Sequence, residues 1–242
     1  MSNEILLPLL LFVAAVLYTS VGHAGASGYL AAMALCGLAP EAMRPTALVL
    51  NLLAAVPTTV QFRRAGHFDR RLFLPLVIGS VPTAFAGNLL SLPPHIYKLF
   101  LGLALTLAAL RLAWPAGRDA ATRRLPVWGG VLLGLGIGFV SGLTSVGGGI
   151  YLTPVLLIAG FATTKTAAGV SAAFILANSA VGLVGRLVAN PVIPTALPTW
   201  CVAVVAGSLI GSTLGSRVFG SPTLRRVLAG VLLIAAGKLA FG

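Results

Sequence analysis

The stretch that decides the fold is Gly136-Ile-Gly-Phe-Val-Ser-Gly-Leu-Thr-Ser-Val-Gly-Gly-Gly-Ile-Tyr-Leu-Thr-Pro154. Its flanks are apolar enough to lie in lipid, but its centre, Ser141 to Gly149, is rich in Gly, Ser and Thr. Each glycine costs a helix about 1 kcal/mol relative to alanine, so Gly147, Gly148 and Gly149 predict a helix break. Backbone groups freed inside a bilayer find no water unless protein or a wet cavity surrounds them. Such a break is either a costly defect or a binding site, and the rest of the chain reads as its frame.

The 242 residues are 58% hydrophobic and 8% charged, with a mean hydropathy of +1.02. These values exclude an ordinary soluble domain and predict an all-α polytopic membrane protein. Cys36 and Cys201 both stand in apolar surroundings and read as small core residues, not as a disulfide or metal pair. The net charge of +12 raises the question of nucleic acid, but the Lys and Arg residues fall in short loops between apolar runs. That distribution is the loop bias that orients a membrane protein, so no nucleic-acid partner is expected. Asn3 and Glu4 stand where a secretory signal carries cations, so the first apolar run reads as a retained membrane segment.

Apolar runs divide the chain into ten segments: 5–22, 29–38, 43–62, 72–92, 96–114, then 127–143, 150–161, 166–188, 195–216 and 223–241. The second and seventh are too short to span, because about ten residues rise only about half of a ~30 Å core. The plan of long segment, break, short segment and three full spans therefore occurs twice. It predicts a repeat at 1–114, a cytoplasmic linker at 115–126 and a second repeat at 127–242. Tyr29-Leu30 pairs with Tyr151-Leu152 in this scheme, and Arg44 falls near the level of Lys165.

Five segments per half is an odd number, so the halves should be inverted in the membrane, whether the short segments re-enter or cross. Placing the loop Arg63 to Arg71 inside puts twelve of the 16 Lys+Arg residues on the cytoplasmic side. Both chain ends are then expected in the periplasm, and the chain in a bacterial inner membrane with about 8–10 membrane segments. Inverted repeats with paired broken segments are the pattern of a secondary transporter with a midplane site.

The second break, Ser141-Gly-Leu-Thr-Ser-Val-Gly-Gly-Gly-Ile-Tyr-Leu-Thr-Pro154, with Ala167-Ala-Gly-Val-Ser171 and Asn178-Ser179, resembles the TauE/SafE family of sulfite and organosulfonate exporters. The first half resembles it at Arg44-Pro-Thr-Ala-Leu-Val-Leu-Asn51, Arg64-Ala-Gly-His-Phe68 and Leu92-Pro-Pro-His-Ile-Tyr-Lys98. Where the family has a glycine cluster, this chain reads Gly22-His-Ala-Gly-Ala-Ser-Gly28. The resemblance implies movement of a small sulfur-containing or carboxylated anion, coupled to the proton gradient.

The charge of the substrate is also legible from the residues. The four acidic residues, Glu4, Glu41, Asp69 and Asp119, all lie at ends or in loops. A cation carrier keeps a carboxylate within a span, where its burial is worth the cost; its absence fits an anion. Backbone N–H groups at helix starts can hold one. Gly147, Gly148 and Gly149 precede the seventh segment, and Gly25, Ser27 and Gly28 precede the second. Ser20, Ser141, Thr144 and Ser145 offer hydroxyl donors. The alternative is that the glycines only let helices pack closely. Asn51 and Asn178 occupy matching long segments and either donate to a ligand or bridge helices. His23 is the ionisable group nearest a break and the candidate proton carrier; otherwise it is a neutral hydrogen-bonded core residue. Arg44 and Arg186 near the outer face and Lys165 near the inner face either attract an anion or snorkel to headgroups. No nucleophile–base set, phosphate loop or metal cluster is visible, so no enzyme, cofactor or metal is expected. The rival readings are a non-transporting membrane subunit and a passive anion channel, and a homo-oligomer remains open.

Overall fold

A computed structural model describes residues 3–90, 92–113, 123–189 and 192–217, together with Leu233. The expected tenth segment (223–241), most of the 115–126 linker and both chain ends lie outside these residues. Nine helices are described: α1 (Asn3–Ser20), α2 (Ala26–Leu35), α3 (Pro40–Arg64), α4 (Arg70–Leu89), α5 (Pro94–Ala113), α6 (Val127–Thr144), α7 (Gly149–Ile158), α8 (Thr164–Ala189) and α9 (Leu197–Arg217). Five of them, α3, α4, α6, α8 and α9, are long and apolar enough to cross a membrane. The chain is therefore an all-α polytopic membrane protein, and each expected segment within the described residues is a helix.

Local chemistry sets the helix ends. Pro40 opens α3, where its missing N–H costs nothing. The Asp69 carboxylate starts α4 by accepting from the N–H groups of Arg71 (2.8 Å) and Leu72 (3.3 Å). The short helices α2 and α7 are bounded alike. Each begins after a left-handed glycine, Gly25 (φ 106) or Gly148 (φ 81), and ends just before another, Gly37 or Gly160. One offset relates all these pairs. It is one residue longer than the pairing of Tyr29-Leu30 with Tyr151-Leu152 requires, so the backbone corrects the register expected from the side chains.

Helix α8 lies at the centre, against α3, α4 and α7. Around it α1 packs on α9, and α4 packs on α6. Both outer pairs are zipped by small residues, which let backbones approach where lipid supplies no hydrophobic drive. On α6 the glycines recur at Gly130, Gly134, Gly138 and Gly142; on α9 they recur at Gly207, Gly211 and Gly215. A Cβ on Gly134 would fall on the Leu76 carbonyl, whereas one on Gly136 would meet nothing within 4 Å. Gly134→Ala should therefore destabilise the protein by about 1–3 kcal/mol through overpacking, lowering the melting temperature by several degrees. Gly136→Ala should leave it unchanged or raise it, since alanine is the better helix former. Thermal unfolding of the two purified variants checks the contrast.

Candidate functional site

Helices α3 and α8 each carry buried polar residues at a seven-residue spacing, which keeps them on one helical face. On α3 these are Arg44, Asn51 and Thr58; on α8 they are Ser171 and Asn178, then Ser179 and Arg186. The Asn51 amide donates to the Ser179 hydroxyl (3.1 Å) and to the Val146 carbonyl in the second break (3.3 Å). Arg44, near the start of α3, and Arg186, near the end of α8, both reach the Asn88–Ser145 pair, so the two helices run antiparallel.

The two arginines lie within the protein, 3% and 2% exposed. This corrects the alternative that they snorkel to headgroups: both side chains turn inward, to the end of α4 and the second break. Arg44 donates from Nε to the Ser145 hydroxyl (3.2 Å), from Nη1 to the Leu90 carbonyl (3.1 Å) and from Nη2 to the Gly142 carbonyl (3.3 Å). Its guanidinium lies 5.3 Å from the centre of the Tyr97 ring, a cation–π contact. Ser145 passes the chain on by donating to Asn88 Oδ1 (3.1 Å), and the Asn88 carbonyl accepts from Arg186 Nη1 (3.5 Å). Neither arginine is paired with a carboxylate among the described residues. Glu41 in the first turn of α3 is exposed.

The backbone at this point is bent by three left-handed residues: Ser145 (φ 58), Gly147 (φ 82) and Gly148 (φ 81). Ser145 is the single non-glycine residue of positive φ among those described. Such a conformation costs about 1–2 kcal/mol, and its bonds to Arg44 and Asn88 hold it there. Along α3 and α8 several buried polar atoms have no partner: the Thr46 and Thr59 hydroxyls, Asn51 Oδ1, Asn178 Nδ2 and Oδ1, and Arg186 Nε. Buried polar groups are ordinarily satisfied, so these orphaned atoms set α3 and α8 apart as the polar helices of the bundle.

The first break differs. The space beside Gly28 is filled by the Tyr18 ring, and that beside Gly25 by Tyr29. Ser27 donates to the Tyr18 hydroxyl (2.9 Å), Ser20 to the Leu17 carbonyl (2.7 Å), and Thr144 of the second break to the Val140 carbonyl (2.9 Å). Ser141 is buried beside Gly148. The two breaks also meet α8 at different heights, Gly22 against Ala168 and Gly147 against Ile175 and Ser179, about 10–16 Å apart along the helix. The glycines of the two breaks thus meet α8 at separate levels.

His23 instead reaches α7. Its Nε2 lies 3.1 Å from the Thr153 hydroxyl, which lies 2.8 Å from the Ser171 hydroxyl; its Nδ1 lies 3.3 Å from the Val21 carbonyl. With Nδ1 protonated, the imidazole accepts from Thr153 and completes a line of three polar side chains into α8. Lys165 stands in the first turn of α8, half-buried, near the loop of His67. Partial burial first, and Lys165 second, hold His67 below the usual histidine value. Asn88, Tyr97, Thr153, Ser171 and Ser179 were not singled out as candidates from the sequence. The periodic polar residues along α8 carried a signal for two of them; lone Asn88 and Tyr97 carried none.

Two buried arginines at a helix break, neither in contact with a carboxylate among the described residues, stand inside a bundle whose long apolar helices define a polytopic membrane protein. The chain belongs to the TauE/SafE family: the family description "Sulfite exporter TauE/SafE" matches residues 7–239. It is also similar to the "Probable membrane transporter protein y4hK" of Sinorhizobium fredii, with 39% identity over 233 residues, covering 94% of each chain. No solved structure matches it.

Proposed function

We propose that the protein is a secondary transporter of a small anion (sulfite, an organosulfonate or a related carboxylate) across the bacterial inner membrane. The observation that carries this reading is the pair of buried arginines, Arg44 and Arg186, with no carboxylate in contact among the described residues. A buried positive charge without a counter-ion attracts an anion and repels a cation. The family and the relative's printed name support transport.

The helix pairings support two inverted repeats. Exchanging α1 with α6, α2 with α7, α3 with α8 and α4 with α9 turns α1–α9 packing into α6–α4 packing, and α4–α8 into α9–α3. Each half thus lends its first helix to the other, and alternating access would move these pairs about the α3–α8 axis. The bias of the loop cations supports inward loops at 63–71 and outward chain ends. His23, joined to Thr153 and Ser171, is the candidate carrier of a coupling proton.

Liposomes containing the purified protein should take up sulfite or a sulfonate, faster under an imposed pH gradient, and His23→Gln should flatten that dependence. Flux indifferent to pH in the parent would make it a passive channel; no flux of any small anion would favour a non-transporting subunit. In cells, a reporter fused after Gly242 should read periplasmic, and a cytoplasmic signal would overturn the inverted arrangement.

A further inference from the structure

Away from both breaks, a cavity of about 380 Å³ opens where α4 and α8 begin, lined by Gly66, Phe68, Asp69, Arg70, Arg71 and Thr166. Its volume is that of a small-ligand pocket. The loop between α3 and α4 is seated on α8 here, since a Cβ on Gly169 would fall on the His67 carbonyl. Gly130 near the start of α6 meets Pro75 of α4, so α6 begins at the same end of the bundle. Arg63, Arg64, Arg70, Arg71, Arg123 and Arg124 are all exposed at this end. Against them the loop holds one carboxylate, Asp69, whose Oδ1 already accepts from the N–H groups of Arg71 and Leu72.

The face of α4 that leads away from the cavity says what kind of anion fits. Arg71, Leu74, Ile78 and Pro82 follow one another at three- and four-residue steps, so they share one side of the helix, and all four are exposed. The stripe from Arg71 to Pro82 rises about 16 Å, about one leaflet of a ~30 Å core. Arginine pairs with phosphate through parallel N–H bonds, and basic pockets between membrane helices hold anionic headgroups. Cations at the head of an exposed apolar stripe therefore match a phospholipid, with phosphate at the arginines and an acyl chain along the stripe. A free phosphate would leave the stripe unused. Half-buried Phe68, its ring 5.3 Å from that of Phe73, gives the cavity an aromatic side at the level where aromatic belts form.

We infer that this cavity holds the headgroup of one anionic phospholipid, its phosphate on Arg70 and Arg71 and an acyl chain along Leu74 and Ile78. The site is separate from Arg44 and Arg186 and stands whether or not the anion-transport reading does. The test titrates the purified, delipidated protein in neutral detergent with phosphatidylglycerol, phosphatidylcholine or glycerol 3-phosphate and follows the melting temperature. Saturating phosphatidylglycerol should raise it by about 5–10 °C, while phosphatidylcholine and glycerol 3-phosphate should do little. Arg70→Gln together with Arg71→Gln should move the phosphatidylglycerol midpoint about 10–30-fold higher. Arg63→Gln together with Arg64→Gln makes the same change of charge and should move it less than about threefold, since exposed charges off the site are screened. Native mass spectrometry should show one phosphatidylglycerol retained by the parent chain and lost from the first double variant. Equal shifts in the two double variants would reduce the site to diffuse surface charge. Glycerol 3-phosphate as effective as phosphatidylglycerol would make it a free-phosphate site, and equal responses to the two lipids would mean no headgroup site at all. Each of these three results overturns the assignment.

Discussion

Replacing Arg44 with alanine should lower stability by about 3–5 kcal/mol and bring flux to background, a larger loss than at any loop arginine. The side chain ties together three pieces that are distant in sequence: the end of α4 at Leu90, the end of α6 at Gly142, and Ser145 in the bend. Alanine leaves the acceptors at Leu90 and Gly142 without this donor in a dry interior, where an unsatisfied group costs about 1–3 kcal/mol. It also removes the cation held at 5.3 Å from the Tyr97 ring, a desolvated contact worth about 2 kcal/mol. Nothing offsets these terms except relief of the charge's own burial, which the two helix ends had already reduced. Ser145 would then keep its left-handed conformation with only Asn88 to hold it. Arg44→Lys should recover part of the stability, since one ammonium can reach one or two of the acceptors but cannot fork to three. Melting temperature in detergent is the primary readout, because flux alone cannot separate a lost site from a lost fold. An alanine variant as stable as the parent would show that Arg44 is no clip.

The sequence made the helices, the two breaks and the shortness of α2 and α7 readable, because each depends on local composition: an apolar run, a glycine cluster, ten residues of rise. The site was less legible, and Arg44 shows why. Position along a segment predicts depth in a membrane, and the second residue of a long segment reads as lying near one face. The inward turn of Arg44 is set by what stands beside it, the chain ends of α4 and α6, which lie about 50 and 100 residues further along the chain and leave no mark near residue 44. The break at Gly22 to Gly28 erred the other way. Its glycines look like those of the second break, yet the rings of Tyr18 and Tyr29 occupy the space beside Gly28 and Gly25. A glycine pattern reports that backbone needs room or an unusual φ; it does not report whether a ligand or an aromatic ring takes the room. Asn51 and Asn178 stand out in the sequence because polar residues inside apolar helices are costly wherever they occur, a rule that needs no knowledge of neighbours, and both are buried.

Gly148→Ala should reduce flux at least about tenfold and lower the melting temperature by about 4–20 °C, and a matched substitution can separate the two causes. At φ 81 any L side chain is strained, at about 1–2 kcal/mol. The added Cβ would also stand 2.7 Å from the Phe174 ring and 3.3 Å from Ile137 and the Ser141 side chain, an overpacking cost of about 1–3 kcal/mol. In a chain of this size each kcal/mol moves the melting temperature by about 2–4 °C. Gly160→Ala supplies the control. That glycine follows α7 with φ 69, in the same left-handed region, but a Cβ there meets nothing within 4 Å. Gly160→Ala should thus show the strain alone, a fall of about 2–8 °C with flux largely kept. The excess loss in Gly148→Ala would then belong to the wall formed by Phe174, Ile137 and Ser141, which fixes where the bend lies relative to Asn51 and Asn178. Equal losses in the two variants would mean that Gly148 serves only to let the backbone turn. Unimpaired flux in Gly148→Ala would move the substrate away from this bend altogether.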